Sequence, residues 1–249
     1  MKYFVIADVH GFYDEMIEAL NKAGFDKFNK EHTLISLGDV IDRGTQPNEV
    51  IEYLLSLERK ILIRGNHEDL LYQLLCYQRN PAHYDVTNGT FDTIIRLANK
   101  TSELSYDIDS AYSNWHECVL HARGSKIFDY LNETVNYFET ERNVFVHGWA
   151  PGYYNYEKEK YCAYTNLENV EGYEWADSRW VNSLQMAQQK VFIPGKQIVC
   201  GHWHACDFNT YFNNDEKYKN HDPYITDDFI ALDACTVLSK KVNVIIIEE

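Results

Sequence analysis

Short apolar runs alternate with amphipathic stretches through the first 80 residues, and this alternation restricts the chain to few architectures. Three of the apolar runs have the length and composition of β-strands: residues 3–7, 33–37 and 60–63. A helical pattern follows each run, with Gly24 as the end of the first and Pro47 as the start of the second. Strands that alternate with helices in this way are typical of a parallel α/β sheet.

The pattern changes in the rest of the chain. Residues from about 81 to 132 carry longer helical patterns, which predict a helical insertion. Residues 135–138 and 144–147 resemble a hairpin, and the last third contains strand-like runs at 197–201, 229–233 and 242–247. With 249 residues, of which 45% are hydrophobic, one core is large enough, so we expect a single domain over residues 1–249.

Charge and cysteine usage restrict the partners and the compartment. The formal net charge of -15 disfavours binding of long nucleic acid, although bound cations could still attract a small phosphorylated substrate. The six cysteines form no C-x-x-C pair, which favours a reduced, cytoplasmic location. Apolar runs of membrane-spanning length are lacking, so we expect no membrane partner. The sequence does not predict an oligomeric state.

Polar side chains follow the three predicted strands of the first half. Asp8 and His10 come after the first strand, Asp39 after the second and Asn66 after the third. Ligands collect at the carboxyl ends of strands in open α/β sheets, so we expect these side chains to meet. If the chain is extended at Asp8 and His10, both side chains point to the same face.

The residue types in these clusters suit divalent cations. Asp39 can bridge two ions with its two oxygens, Asn66 offers a carbonyl oxygen, and His147 and His202 offer imidazole nitrogens. A donor set of oxygen and nitrogen without thiolate favours Mn²⁺, with Fe and Zn²⁺ as alternatives. Two such ions, about 3.5–4 Å apart, would clamp a phosphoryl group and lower the pKa of a bridging water towards about 7. We therefore expect two divalent ions and direct attack of a bridging hydroxide on phosphorus.

Three further side chains suit the chemistry of phosphate transfer. Arg43 presents a planar guanidinium that can bind two phosphate oxygens at once. His67 is the natural proton donor to the leaving oxygen, and Asp42 could fix its tautomer and raise its basicity.

Together, the clusters resemble the phosphoprotein-phosphatase branch of the calcineurin-like metallophosphoesterases. The family patterns D-x-H, G-D-x-x-D-R-G and G-N-H-E match residues 8–10, 38–44 and 65–68 in order and spacing. The segments around His147 and His202 resemble the metal-histidine turns of the family. The resemblance implies an α/β fold with a central two-sheet β-sandwich flanked by helices.

The resemblance also assigns roles. It implies that Asp8, His10 and Asp39 hold one ion, that Asp39, Asn66, His147 and His202 hold the other, and that Asp42, Arg43 and His67 are catalytic. Asn66 and Arg43 would also contact the phosphate. A second phosphate-binding arginine is expected before the last metal histidine, and Arg179 is the candidate.

Two features stay open at this point. His204 follows His202 in a G-H-x-H pattern, and it is either a ligand of the first ion or a group that supports a ligand. A tyrosine-rich run follows His147 and contains Tyr153, Tyr154, Tyr156, Tyr161 and Tyr164. These rings could stack on a substrate base, although packing along a loop edge is the commoner use of tyrosine.

The sequence thus predicts a hydrolase of phosphate esters, and the likeness favours a bacterial or phage-type serine/threonine protein phosphatase. A symmetrical dinucleoside polyphosphate hydrolase is the alternative, because enzymes of that kind share these motifs. The substrate would be a phosphorylated protein or a small phosphorylated nucleotide. A metal-binding module without catalysis is the rival from another class, although Asp42, Arg43 and His67 are not needed merely to hold metal.

Overall fold

A computed structural model describes residues 1–77 and 79–249. In the first half, strands and helices alternate as expected: β1 (Lys2–Ile6), α1 (Tyr13–Ala23), β2 (His32–Ser36), α2 (Pro47–Ser56), β3 (Lys60–Ile63) and α3 (Asn66–Tyr77). Helix α1 ends at Gly24, whose φ of 81° is easily adopted without a Cβ and whose N–H bonds to carbonyls of the last turn. Helix α2 begins with Pro47 in its first turn, where a missing N–H leaves no hydrogen bond unmade.

Five helices fill the region of the predicted insertion: α4 (His83–Asn88), α5 (Thr90–Thr101), α6 (Ile108–Ser113), α7 (Trp115–Arg123) and α8 (Ile127–Glu133). Helices α5 and α7 pack together, with Phe91 stacked on Trp115 at 5.5 Å between ring centroids. Asn114 separates α6 from α7. The backbone leaves helical geometry there, and the Asn114 amide donates to the carbonyl of Ser110.

The second half contains short strands and four further helices. The strands are β4 (Thr134–Val135), β5 (Phe138–Glu139), β6 (Asn143–Phe145), β7 (Gly152–Asn155), β8 (Lys160–Ala163), β9 (Gln197–Cys200), β10 (Tyr224–Ile225), β11 (Phe229–Ala231) and β12 (Val244–Glu248). The helices are α9 (Gly172–Ser178), α10 (Ser183–Gln188), α11 (Ala205–Asn213) and the single turn α12 (Thr236–Ser239), and Leu167–Asn169 form a 3₁₀ turn.

Two five-stranded sheets form the centre. The first has the order β12-β1-β2-β3-β4 and the second the order β10-β11-β9-β6-β5. Strands β1 to β4 are parallel, and so are β6, β9 and β11 in the other sheet. The hairpin expected over residues 135–147 is only partly correct. Val135 pairs with β3 in the first sheet, and the hairpin consists of β5 and β6 in the second.

Apolar side chains from both sheets meet in a buried layer that contains Val5, Ala7, Ile35, Leu37, Ile63, Phe145, Val199, Ile230 and Leu232. Two larger clusters cover the outer faces of the sheets, where the helices pack. The two-sheet α/β sandwich predicted from the sequence is therefore confirmed.

Truncation of a side chain in this layer should be costly. Phe145 is fully buried, and its ring lies 5.7 Å from that of Phe138. We expect Phe145→Ala to lower the free energy of unfolding by about 3–5 kcal/mol, because it removes apolar contacts and leaves a cavity. Urea denaturation followed by circular dichroism measures this change. Tyr156→Ala, at a ring that is 85% exposed, is the matched control and should change the value by less than about 0.5 kcal/mol.

Candidate metal centre

The site lies where the parallel strands of both sheets end. Asp8, Asp39 and Asn66 follow β1, β2 and β3 within three residues. In the other sheet, His147, His202 and Asp233 each come two residues after the end of a strand, namely β6, β9 and β11. The sandwich therefore brings together residues that are up to 225 positions apart (233 − 8), as ligand sites at strand ends require.

Two groups of possible metal ligands share Asp39. One consists of His10, Asp39 and His67, the other of Asp39, His147 and His202, and the ligand atoms within each group lie within 4.8 Å of one another. Asp39 Oδ2 faces His10 Nε2 at 3.9 Å, while Oδ1 faces His147 Nε2 at 3.4 Å. One carboxylate thus presents an oxygen to each group, which is the arrangement that two neighbouring cations need.

Backbone carbonyls orient two of the histidines. His10 Nδ1 donates to the carbonyl of Ile41 at 2.9 Å, and His147 Nδ1 donates to the carbonyl of Leu37 at 2.7 Å. In both rings Nε2 therefore faces the cluster as the nitrogen that can bind a cation. Asn66 Oδ1 lies 2.8 Å from His147 Nε2, so the amide oxygen points into the same space.

The ligand loops have an unusual backbone. Asp8, His10, Asp39 and His202 all have positive φ, between 50° and 63°. The extended conformation expected at Asp8 and His10 is therefore wrong, and the loop rather than strand alternation sets their directions. Backbone bonds between loops hold the first two, from Asp8 N to the carbonyl of Gly38 and from His10 N to the carbonyl of Asp39.

Several buried carboxyl groups, among them Asp8 and Asp233, lie close together at the site. Burial and the nearby charge of Asp233 raise the pKa of Asp8 well above its usual range. Burial also raises the pKa of Asp233. Carboxylates that are crowded in this way disfavour their own ionisation unless cations accompany them. The residues therefore fit a pair of divalent ions in both donor type and charge.

The pKa values of His147 and His202 indicate which of the two rings must lose a proton before it can bind a cation. Burial opposes the charged form of His147, but the negative charge of Asp39 outweighs it and raises the His147 pKa to about 10. Burial and the positive charge of His147 lower the pKa of His202 to about 3. At neutral pH, His202 is already in the form that binds metal, whereas His147 must first lose a proton.

Glu68 holds the loop that carries Asp39. Its carboxylate accepts the backbone N–H groups of Asp39, Val40 and Gly65 at 2.8–3.0 Å, and it is fully buried. Gly65 lies so close to Asp39 that a Cβ at this position would overlap the Asp39 carboxylate. The glutamate at the end of the G-N-H-E pattern thus positions the shared ligand, a role that the sequence analysis did not assign.

His67 belongs to a buried relay that reaches into the helical insertion. Its Nδ1 donates to Asp42 Oδ2 at 2.6 Å. The hydroxyls of Thr90 and Thr93, at the start of α5, donate to the two oxygens of Asp42 at 2.7 Å each. Burial lowers the pKa of His67, but the charges of Asp39 and Asp42 outweigh this and raise it. The insertion therefore supports the histidine predicted to donate a proton.

Arg43 faces the cluster from its exposed side. Its guanidinium nitrogens lie 3.0 Å from His10 Nε2 and 3.1 Å from His67 Nε2. Unlike the other members of the predicted trio, Arg43 is solvent-exposed. A phosphate that reaches the cluster from solvent would meet this side chain, which can form two charge-assisted hydrogen bonds with it.

Arg179 lies in a cleft that also contains Arg64 and Asp69. Its terminal nitrogens donate to Asp69 Oδ2 at 2.7 Å and Asn136 Oδ1 at 2.6 Å. The side chain is buried, and burial lowers its pKa. Both terminal nitrogens are thus engaged with other side chains, and the phosphate-binding role of Arg179 stays a prediction.

His204 points to a different set of groups. Its Nε2 lies 3.7 Å from Asp233 Oδ2, and its Nδ1 lies 3.6 Å from Asp207 Oδ2. It belongs to neither group around Asp39. Whether it binds the first ion or supports a ligand stays a prediction.

Sequence reasoning missed Asp233, although a signal was present. In the structure the residue comes two positions after β11, as Asp8 comes two positions after β1, and it is buried. No metal-binding motif surrounds it, so the sequence analysis did not single it out. Its position relative to the strand end is the feature that could have identified it.

The family comparison agrees with this geometry. The sequence profile of the calcineurin-like phosphoesterases matches residues 1–206, and the chain belongs to that family. This confirms the predicted family and its phosphoesterase class. The assignments of individual metal ligands stay predictions.

Curated relatives match limited segments of this chain. An asymmetrical bis(5'-nucleosyl)-tetraphosphatase of Bacillus velezensis is 36% identical over 84 residues, which cover 30% of this chain and 34% of the relative. A symmetrical bis(5'-nucleosyl)-tetraphosphatase of Hamiltonella defensa is 41% identical over 69 residues, covering 27% of this chain and 24% of the relative. These matches span only a quarter to a third of the length of the relatives.

Solved structures share the fold over nearly the whole chain. A cold-active protein-tyrosine phosphatase of Shewanella aligns with a TM-score of 0.55 and 16% identity, covering 100% of this chain and 75% of that one. A serine/threonine phosphatase of Saccharomyces cerevisiae aligns with a TM-score of 0.51 and 13% identity, covering 94% and 67%. No helix within residues 1–77 and 79–249 has the length and apolar character needed to cross a membrane.

Metal binding should release a proton from His147. When Mn²⁺ saturates the metal-free protein at pH 7.5, we expect proton release, because a His147 pKa of about 10 keeps the ring protonated at that pH. Calorimetric titration in buffers of different ionisation enthalpy measures the number of protons released. His147→Ala should release about one proton fewer. His202→Ala, which removes a ring that is already neutral, is the matched control; equal release from wild type and His147→Ala would contradict the assignment.

Proposed function

We propose that this protein hydrolyses dinucleoside polyphosphates with the help of two divalent cations at the Asp39 cluster. The observation that carries the proposal is that Asp39 belongs to both ligand groups, next to a histidine held by a buried carboxylate. When bound, the cations would polarise the phosphoryl group and acidify a water molecule. Mn²⁺ is our choice of ion, because the donors are oxygen and nitrogen only.

The side chains of the protein would orient the phosphate and move a proton. Arg43 would bind two phosphoryl oxygens from the solvent side, with Asn66 and Arg179 as further contacts proposed from the family likeness. His67, held by Asp42, would donate a proton from Nε2 to the leaving oxygen. The raised pKa of His67 favours the protonated form that this step needs.

The names of the relatives support a dinucleoside substrate. Both an asymmetrical and a symmetrical bis(5'-nucleosyl)-tetraphosphatase match a segment of this chain. From the sequence alone we placed a serine/threonine protein phosphatase first, and a phosphorylated protein remains our second candidate. The specific feature in its favour is the trio of Asp42, Arg43 and His67, which resembles the phosphoprotein-phosphatase pattern. The same trio could act on a phosphate attached to a protein or to a nucleoside.

Substrate preference and products test this proposal. We expect the Mn²⁺-loaded protein to cleave diadenosine tetraphosphate faster than a phosphothreonine peptide. Chromatography of the products distinguishes symmetrical cleavage, which yields only ADP, from asymmetrical cleavage, which yields ATP and AMP. Faster cleavage of the peptide would contradict the proposal and support the protein-phosphatase hypothesis. If the metal-loaded protein hydrolyses neither substrate, a non-catalytic metal-binding module is favoured.

The proton donor can be tested in the same assay. We expect His67→Ala to lower kcat for diadenosine tetraphosphate by about 10²-fold or more, since general acid catalysis is lost. Asp42→Asn should also lower kcat, because His67 loses the carboxylate that orients it. His116→Ala, at an exposed histidine on α7, is the matched control and should leave kcat unchanged. A His67→Ala enzyme that keeps wild-type kcat would remove His67 from the mechanism.

A further inference from the structure

Trp180 differs from the other tryptophans of the chain. Its side chain is 50% exposed, whereas Trp115, Trp149 and Trp175 are buried and Trp203 is partly buried. A single exposed aromatic ring is common on protein surfaces and implies nothing by itself. The position of this ring at the metal centre makes it informative.

The ring lies next to a residue of the metal centre. Its centroid is 6.4 Å from that of His202, and the two ring planes make an angle of 79°. Since His202 belongs to the ligand group around Asp39, one imidazole separates the Trp180 ring from the proposed position of the phosphate. A nucleoside 5′-phosphate has its base one ribose away from phosphorus, which suits this separation.

The backbone that carries Trp180 is well supported. The Trp180 N–H donates to the carbonyl of Asp177 at 3.0 Å, and the carbonyl of the buried Ser178 accepts the N–H of Trp149. The preceding residue, Arg179, is buried and held by Asp69 and Asn136. An aromatic ring on a rigid support loses little conformational freedom when it binds a ligand.

The antiparallel pair of β7 and β8, which carries exposed tyrosines of the tyrosine-rich run, is the rival platform for a base. Its exposed rings contact one another, with Tyr154 at 5.1 Å from Tyr156 and 5.4 Å from Tyr161 between centroids. The aromatic side chains whose rings approach His202 are instead Trp180, Trp203 and His147. Of these three, Trp180 is the exposed one.

We propose that Trp180 stacks on a nucleobase of the substrate and gives the enzyme its preference for nucleotides over phosphates that lack a base. This inference rests on the proposed dinucleoside function. Every base offers an aromatic face, so stacking would select for a base without distinguishing one base from another. The Trp180 ring is therefore a substrate-binding group that no metal or phosphate motif would reveal.

The test compares substrates with and without a base. We expect Trp180→Ala to lower the preference for diadenosine tetraphosphate over inorganic tetraphosphate, measured as the ratio of kcat/KM values, by about tenfold, the typical effect of losing one stacked base. Trp180→Phe should restore most of that preference. Tyr156→Ala is the control, because it removes another exposed aromatic ring, one that packs on Tyr154, and its ratio should equal that of wild type.

A binding measurement separates this inference from the proposed function. Calorimetry on the Mn²⁺-loaded protein gives the affinity ratio of ADP to pyrophosphate, which should fall about tenfold in Trp180→Ala. An unchanged ratio in both experiments, or a loss that appears in Tyr156→Ala instead, would overturn the stacking role. If wild type cleaves neither tetraphosphate but Trp180→Ala still weakens ADP binding selectively, the proposed function fails and the stacking role stands.

Discussion

The carboxylate of Glu68 is the group on which the geometry of the site depends. It accepts three backbone N–H groups from the loops after β2 and β3, and so fixes the loop that presents Asp39. Asp39 in turn faces both ligand groups. A buried carboxylate is costly unless hydrogen bonds and cations balance its charge, so loop structure and metal binding are coupled here.

The left-handed backbone conformations of Asp8, His10, Asp39 and His202 also depend on contacts between loops. A residue other than glycine in this region costs about 1–3 kcal/mol, and such residues persist where surrounding contacts hold them. Asp8 and His202 illustrate this, because the backbone N–H of His202 donates to both oxygens of Asp8 across the two sheets. The strain is offset by the sandwich, which in return holds the donors close together before any cation binds.

The features that could be predicted from the sequence are those that depend on local patterns of residues. The strands of the first half and the polar residues at their ends follow from hydrophobic periodicity and short motifs. The loop conformation at Asp8 and His10 could not be predicted in this way, since their positive φ depends on contacts with the loop after β2. The support of Asp42 by Thr90 and Thr93 depends on how a helix 48 residues away packs, and Asp233 and Trp180 carry no motif.

The most direct test of this account is the metal stoichiometry of wild type and Asp39→Asn. Asparagine keeps the shape of the side chain but removes its charge and one of its two acceptor oxygens, so it should bridge two cations poorly. Calorimetric titration with Mn²⁺ should show two ions per wild-type chain and, in Asp39→Asn, loss of the second ion or weakening of both. Two ions bound to Asp39→Asn with wild-type affinity would contradict the shared-ligand geometry.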